Sequence, residues 1–194
     1  MTQPLNRRQF VQQSAAVAGT AAAFLIVPRH VLGGPRQIAP SDKMNIAGIG
    51  VGGMGAANLR NVESENIVAL CDVDPNYASG TINRYPNAKV YVDYREMLDK
   101  QKDIDGVVIA TPDHTHAVIS MAAIRAGKHV YCQKPLTHDV YEARLLAKAA
   151  KEAKVATQMG IQGHSTEGLR LACEWIWAGV IGEVREVDAW CDLS

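Results

Sequence analysis

Four glycines stand within six residues in the segment Gly50-Val51-Gly52-Gly53-Met54-Gly55, directly after the apolar run Met44–Ile49 and before a helical pattern. In a strand, loop and helix of this kind, the first glycine permits a tight turn. The second lets the backbone approach a pyrophosphate, and the third lets the helix pack closely on the strand, with phosphate held at the helix N-terminus. The segment predicts a dinucleotide-binding loop with contacts from Gly50, Gly52, Gly53, Met54 and Gly55.

A carboxylate follows this loop at the sequence separation that is typical of dinucleotide-binding domains. Asp72 lies twenty-two residues after Gly50, at the end of the apolar run Ile67–Cys71. In this place a carboxylate accepts hydrogen bonds from the ribose hydroxyls of a dinucleotide. It also repels a 2′-phosphate, so the predicted cofactor is NAD rather than NADP. Asp74, two residues further on, is an alternative for the same role.

Two histidines occur in the turn Thr111-Pro112-Asp113-His114-Thr115-His116, which follows the apolar run Gly106–Ala110. The first and fourth strands are neighbours in a doubly wound sheet, so this turn should line the dinucleotide crevice. His114 and His116 would face one way on an extended segment and could then bind a metal. No third ligand accompanies them at a familiar spacing, and we favour a cleft-lining or capping role without metal.

A lysine stands at the end of the next apolar run, His129–Cys132, in the order Gln133-Lys134-Pro135. Proline biases the residue before it toward extended backbone, which fixes how the Lys134 side chain leaves the sheet. A lysine beside a nicotinamide ring can orient a sugar hydroxyl or polarise the developing carbonyl. The alternative is a surface lysine with a partly covered stem. Its place at a strand end favours the chemical role.

Apolar runs and helical patterns alternate along the chain as in βαβ units. The predicted strands are Met44–Ile49, Ile67–Cys71, Lys89–Val92, Gly106–Ala110, His129–Cys132 and Val155–Met159. The predicted helices between them are Met54–Val62, Pro75–Arg84, Tyr94–Lys100, Thr115–Ala126 and Thr137–Ala153. Thr137 is the expected N-cap of the last of these, and Gly127 ends the helix before it. The alternation predicts an α/β fold of the Rossmann type with a doubly wound parallel sheet.

After the sixth strand, the pattern predicts an amphipathic helix over Ser165–Ala178 and a strand over Glu183–Cys191. We expect this strand to be the first of a second α+β domain that the sequence does not include. The predicted division is a signal and linker over 1–40, an NAD-binding domain over 41–163, and the start of a truncated substrate domain over 164–194.

The N-terminus has the pattern of an export signal. Asn6-Arg7-Arg8-Gln9-Phe10-Val11 precedes a short, weakly apolar run over Ala15–Val27. That run is too short to cross a bilayer as a helix, which needs about 20 residues. The arginine pair with Phe10 resembles the twin-arginine signal, which would engage the twin-arginine export machinery and deliver a folded protein to the periplasm or another extracytoplasmic space. An ordinary secretory signal and an uncleaved membrane anchor are the alternatives.

Charge and cysteine content argue against a nucleic-acid-binding protein and against a protein held by disulfides. Residues 1–40 hold four arginines and no acidic residue, so the rest of the chain has 16 basic against 20 acidic residues. This mildly acidic body offers no basic face for nucleic acid. Cys71 and Cys132 end apolar runs and Cys173 lies in the last helical pattern. We expect all three to be small core residues rather than disulfide partners.

Taken in order, these motifs resemble the glucose-fructose oxidoreductase, inositol dehydrogenase and MocA (Gfo/Idh/MocA) family. The resemblance covers about residues 44–190 and rests on Gly50–Gly55, Asp72, Thr111–His116, Ala126–Val130 and Lys134–Pro135. It implies dinucleotide contacts from the glycine loop, Asp72, Thr111, Pro112 and His116, with Gln133 and Gln162 as further candidates. It also implies that Lys134 lies near nicotinamide and substrate, with His164 as the second catalytic candidate. The Lys134–Pro135 peptide is expected to be cis, as in several such folds.

The sequence departs from the family pattern at one position of this set. Gln133 stands where the family usually has glutamate before Lys-Pro, which removes a carboxylate beside Lys134. The resemblance implies an NAD-dependent oxidoreductase that acts on a sugar or polyol hydroxyl, with homo-oligomers formed through the second domain. An NAD-dependent glycoside hydrolase of similar fold and a non-catalytic dinucleotide-binding protein are the alternatives.

Overall fold

Six short strands form the centre of the molecule. The computed structural model describes residues 39–190 and places these strands in one parallel sheet of order β3-β2-β1-β4-β5-β6. The strands are β1 (Asn45–Ile49), β2 (Asn66–Cys71), β3 (Lys89–Tyr91), β4 (Gly106–Ile109), β5 (His129–Gln133) and β6 (Thr157–Gly160). This order is that of the Rossmann fold, which confirms the predicted fold class.

Six helices among residues 39–190 connect or follow the strands. They are α1 (Gly53–Asn61), α2 (Ser79–Arg84), α3 (Tyr94–Lys100), α4 (His116–Arg125), α5 (Val140–Ala153) and α6 (Glu167–Trp177). Short 3-10 turns cover Pro40–Asp42, Asp113–Thr115 and Gln162–Ser165. Gly127 follows α4 with a φ of 72°, in the left-handed region that glycine adopts most readily, as predicted for the end of this helix. No helix among residues 39–190 has the length and apolar character needed to cross a membrane.

The register of the sheet brings the ends of four strands level. Ile49 of β1 pairs with Cys71 of β2 on one side and with Ile109 of β4 on the other. Ile109 pairs in turn with Cys132 of β5. The residues that follow these strands therefore emerge along one edge of the sheet, where doubly wound folds bind their ligands.

Apolar side chains cover both faces of the sheet. Residues that alternate along the strands, such as Ala47, Ile49 and Ile109, pack with α3, α4 and α5 in one cluster. Their neighbours Ile46 and Val108 belong to a second cluster with residues of α1 and α2. Because successive side chains of a strand point to opposite faces, the two clusters lie on the two sides of the sheet. Burial on both faces explains why the inner strands β1 and β4 are nearly continuous apolar runs.

The structure corrects the predicted start of α5. Asp139 rather than Thr137 is the N-cap: its backbone is extended, and its carboxylate accepts from the Glu142 N–H at 2.8 Å. Glu142 reaches back to accept from the His138 N–H at 3.0 Å. This reciprocal pattern is close to a capping box, which a threonine hydroxyl two residues earlier does not provide. Thr137 instead donates to the Asp139 carbonyl within the loop.

The predicted strand over Glu183–Cys191 is wrong for its described part. Residues 183–190 have no regular secondary structure, because no strand lies beside them to complete a ladder. The preceding helix α6 has the predicted apolar stripe, but none of its residues is buried. Cys173 on this stripe is partly exposed, so the prediction that it is a core residue is also wrong. The predicted export signal over residues 6–27 lies outside the described residues.

We predict that Gly55→Ala destabilises the protein, because a Cβ at this position would overlap the carbonyl oxygen of Gly50. The loss should exceed about 2 kcal/mol in the free energy of unfolding, as for other overpacked sites. Gly80→Ala is the control: this exposed glycine of α2 has no atom within 4 Å of its added Cβ, and helix propensity favours alanine by up to about 1 kcal/mol. Urea denaturation of both variants measures the difference, and equal stabilities would contradict the prediction.

Candidate dinucleotide site

The loop between β1 and α1 has a backbone that only glycine permits. Gly50 has a φ of 75°, and a Cβ there would lie 2.7 Å from the Ala110 carbonyl oxygen. Gly55 brings α1 onto the Gly50 carbonyl, and a Cβ at Gly52 would overlap the ring of Tyr77. The loop therefore forms a glycine cradle, a concave backbone surface that side chains at these glycine positions would fill. The glycine roles inferred from the motif agree with this geometry.

Backbone N–H groups at the start of α1 face the same space. The N-cap of α1 is Gly52, and no side chain caps the helix. A helix N-terminus carries free N–H donors and the positive end of the helix dipole, which together favour an anion. The Gly53 N–H already donates to the Tyr77 hydroxyl oxygen at 3.2 Å, so Tyr77 occupies this one of the donors. The arrangement suits a pyrophosphate close to the backbone.

Asp72 faces this loop and is held by backbone N–H groups. Its Oδ2 accepts from the N–H groups of Val51 at 2.8 Å and Gly52 at 3.2 Å, and its Oδ1 accepts from Asp74 at 3.0 Å. The carboxylate of Asp74 instead accepts from Asn76 and Tyr77 within its own turn. Of the two candidates for ribose recognition, Asp72 is therefore the one directed at the glycine loop.

A cleft of about 600 Å³ lies at the ends of β1, β2 and β4. It is lined by seven of the predicted cofactor residues: Gly50, Gly52, Gly53, Met54, Asp72, Thr111 and Pro112. Tyr77, Tyr94 and Val118 also line it and were not among the predicted residues. Tyr77 is the most relevant of them because its ring lies over Gly52. The remaining predicted residues lie outside the lining.

His116 is buried beside the cleft rather than in its lining. Only 1% of the residue is exposed. Its Nδ1 lies 2.6 Å from the Pro135 carbonyl oxygen, and its Nε2 lies 2.8 Å from the Thr111 carbonyl oxygen. His114, in contrast, is exposed on the 3-10 turn, so the two histidines do not face one way. Within residues 39–190, no group of three or more His, Cys, Asp or Glu side chains is placed to hold a metal.

Lys134 and Gln133 occupy the end of β5, level with the cleft. Lys134 is exposed, and it has neither a hydrogen bond nor an ion pair with the described residues. Its peptide bond to Pro135 is cis, as expected. Gln133 is buried, and its Nε2 has no hydrogen-bond partner in the described chain. A Cβ at Gly160 of β6 would lie 2.8 Å from that nitrogen, so the Gln133 side chain lies against its partner residue on the neighbouring strand.

Gln162 and His164 are separated from the cleft. Both are exposed on the 3-10 turn that follows β6, an edge strand of the sheet. The structure therefore brings the glycine loop, Asp72 and the Thr111 turn together, but it does not bring these two residues to them.

The two strand-end cysteines have unreactive surroundings. Burial, followed by the charges of Asp72 and Asp93, raises the pKa of Cys71 to about 12. Burial also raises the pKa of Cys132 above its ordinary value. Both side chains are buried, which confirms the expectation that these two cysteines are core residues.

The sheet order, the glycine cradle and the directed carboxylate define a dinucleotide-binding Rossmann domain. Residues 44–161 match the Gfo/Idh/MocA oxidoreductase family, which has an NAD-binding Rossmann fold, and the chain belongs to this family. The match includes every residue that lines the cleft. NAD is thus the cofactor that both the family and the charge of Asp72 indicate.

The relatives of this chain include proteins named as dehydrogenases. The chain is 32% identical over 115 residues to levoglucosan dehydrogenase of Pseudarthrobacter phenanthrenivorans, covering 59% of this chain and 29% of that protein. It is 30% identical over 141 residues to inositol 2-dehydrogenase of Salmonella typhimurium, covering 70% and 42%. The crystal structure of myo-inositol 2-dehydrogenase from Lactobacillus plantarum aligns with a TM-score of 0.66 at 28% identity, covering 73% and 43%. The chain thus spans less than half the length of these relatives.

We predict that Asp72→Asn weakens NAD binding at least about tenfold, because a charged hydrogen bond contributes about 1.5–3 kcal/mol. Asp74→Asn is the matched control: asparagine preserves the hydrogen bonds of that turn, and its effect should stay below about threefold. Isothermal titration calorimetry with NAD measures both dissociation constants. Equal losses in the two variants would contradict the assignment of Asp72.

We also predict that Cys71 and Cys132 resist alkylation in the folded protein, because the reactive thiolate is scarce below the raised pKa values. Partly exposed Cys173 should react with iodoacetamide within minutes at mildly alkaline pH. Peptide mass spectrometry after labelling, with and without urea, identifies the modified residues. Rapid labelling of Cys71 without urea would show that the end of β2 is not packed as described.

Proposed function

We propose that this chain is the cofactor-binding part of an NAD-dependent oxidoreductase that acts on a sugar or polyol hydroxyl. The observation that carries the proposal is the convergence of the glycine cradle and the Asp72 carboxylate on one cleft, at strand ends held level by the sheet. The names of the relatives, inositol and levoglucosan dehydrogenases, support the substrate class.

The described residues suit the binding part of this function. The N–H groups at the start of α1 would hold the pyrophosphate, and Asp72 would accept from a ribose hydroxyl. Thr111 and Pro112 form the wall of the cleft on the β4 side. NAD, when bound, supplies the hydride acceptor for oxidation of the substrate. The protein then has to hold the reacting groups together and to accept the hydroxyl proton.

Lys134 is the proposed residue for that proton. It follows β5, which is next to the β4 strand end that borders the cleft, and its side-chain nitrogen has no partner among residues 39–190 to hold it away from a substrate. Gln133 in place of glutamate leaves this lysine without a carboxylate on the preceding residue. His164 is proposed as an assisting residue that other parts of the full-length protein would bring near.

We propose that the protein is exported by the twin-arginine route to the periplasm or another extracytoplasmic space, with an uncleaved anchor as the alternative. Arg7, Arg8 and Phe10 support this, although they lie outside the described residues. We further propose that residues 164–194 lead into a substrate domain through which copies of the protein associate. The exposed apolar side chains of α6, including Trp175, Ile176 and Trp177, support this division.

The test uses the protein in its full natural length, incubated with NAD and with inositols, levoglucosan and simple glycosides. We expect NADH to accumulate with an inositol or sugar, and Lys134→Met to reduce its rate at least about a hundredfold with little change in NAD affinity. Release of free sugar from a glycoside without net NADH would favour the hydrolase alternative. NAD binding without any turnover would favour the non-catalytic alternative.

A further inference from the structure

The imidazole of His116 bridges two segments that come from neighbouring strands. Its Nε2 is at hydrogen-bond distance from the carbonyl oxygen of Thr111, a residue of the cleft wall after β4. Its Nδ1 is equally close to the carbonyl oxygen of Pro135, which follows Lys134 after β5. The sheet itself does not connect these segments, because its ladder between β4 and β5 ends at the pair Ile109 and Cys132.

Among the described residues, the two backbone carbonyls are the hydrogen-bond partners of the His116 ring. His116 is almost fully buried, and both of its nitrogens are engaged by backbone. Each ring nitrogen donates only when it carries a proton, so at least one of the two carbonyls accepts a hydrogen bond from the ring. The Thr111 side chain is separately fixed, because its hydroxyl accepts from Thr115 at 2.8 Å. The carbonyl of Thr111 is thus the part of the turn that His116 holds.

We propose that His116 is a positioning residue that ties the cofactor wall, Thr111–Pro112, to the lysine segment, Lys134–Pro135. It thereby sets the distance between bound NAD and Lys134. This inference rests on the proposed function for the role of Lys134, but the link itself is independent of it. His116 touches neither cofactor nor substrate in this role. The two ends of the link have different consequences: Thr111 governs the shape of the cleft, and Pro135 governs where Lys134 leaves the sheet.

Two conservative variants separate these consequences. An asparagine amide nitrogen can take the place of Nδ1, so His116→Asn keeps the contact with Pro135 and loses that with Thr111. A glutamine amide nitrogen can take the place of Nε2, so His116→Gln keeps Thr111 and loses Pro135. Ser120→Ala is the control for a change in the same helix, because its Oγ is buried one turn further along α4 and contacts neither Thr111 nor Pro135.

The readouts are NAD affinity by calorimetry and the acetylation rate of Lys134 by peptide mass spectrometry. We expect His116→Asn to raise the NAD dissociation constant at least about fivefold with Lys134 acetylation unchanged. His116→Gln should change Lys134 acetylation at least about threefold with NAD affinity unchanged. Lys128 is the internal reference, since its ammonium donates to the carbonyls of Lys102 and Ile104 away from this link.

Variants that shift both readouts together, or neither, would overturn the proposal and assign His116 a purely structural role. If the variants fail to fold, nuclear magnetic resonance of the unmodified protein decides: the ring N–H of His116 should be protected from solvent exchange and should shift when NAD is added. A rapidly exchanging ring, or one insensitive to NAD, would also overturn the proposal. Wild-type protein that fails to bind NAD would refute the proposed function, while the Lys134 readout would still test the link.

Discussion

The close contact between the start of α1 and the end of β1 is the constraint on which the site depends. Gly55 lies against the carbonyl of Gly50, and Gly50 in turn lies against Ala110 of the neighbouring strand end. Any side chain at these positions would push the helix away from the sheet. The N–H groups of α1 would then no longer face the space beside Asp72. Binding chemistry here follows from the absence of side chains at a few positions, rather than from a dense set of polar ones.

The contacts of Asp72 within the loop are compatible with the ribose contact proposed for it. An ionised carboxylate offers about four acceptor positions, and three are taken by the N–H groups of Val51, Gly52 and Asp74. The remaining capacity suffices for a ribose hydroxyl while the loop stays in place. The same negative charge that orders the loop also acts against a 2′-phosphate. Preference for NAD is in this sense a consequence of how the loop is held.

The sequence predicted the parts of the site that depend on local pattern. Apolar runs located all six strands within a few residues, and the glycine spacing with Asp72 located the cleft. Tertiary contacts decided the rest: the partners of His116 belong to segments five and nineteen residues away, and no periodicity reveals them. The strand predicted over 183–191 failed for a related reason. A β pattern becomes a strand only beside another strand, and the described chain places none there.

The order of the strands explains why a link at His116 is so well placed. Cofactor wall and lysine segment follow β4 and β5, which are adjacent and parallel, so their ends lie level on the same edge. The helix that connects two parallel neighbours must begin at the end of the first, next to the end of the second. His116 is the first residue of that helix. A side chain at this point is within reach of both segments, whereas any residue further along α4 is carried away from the edge by the rise of the helix.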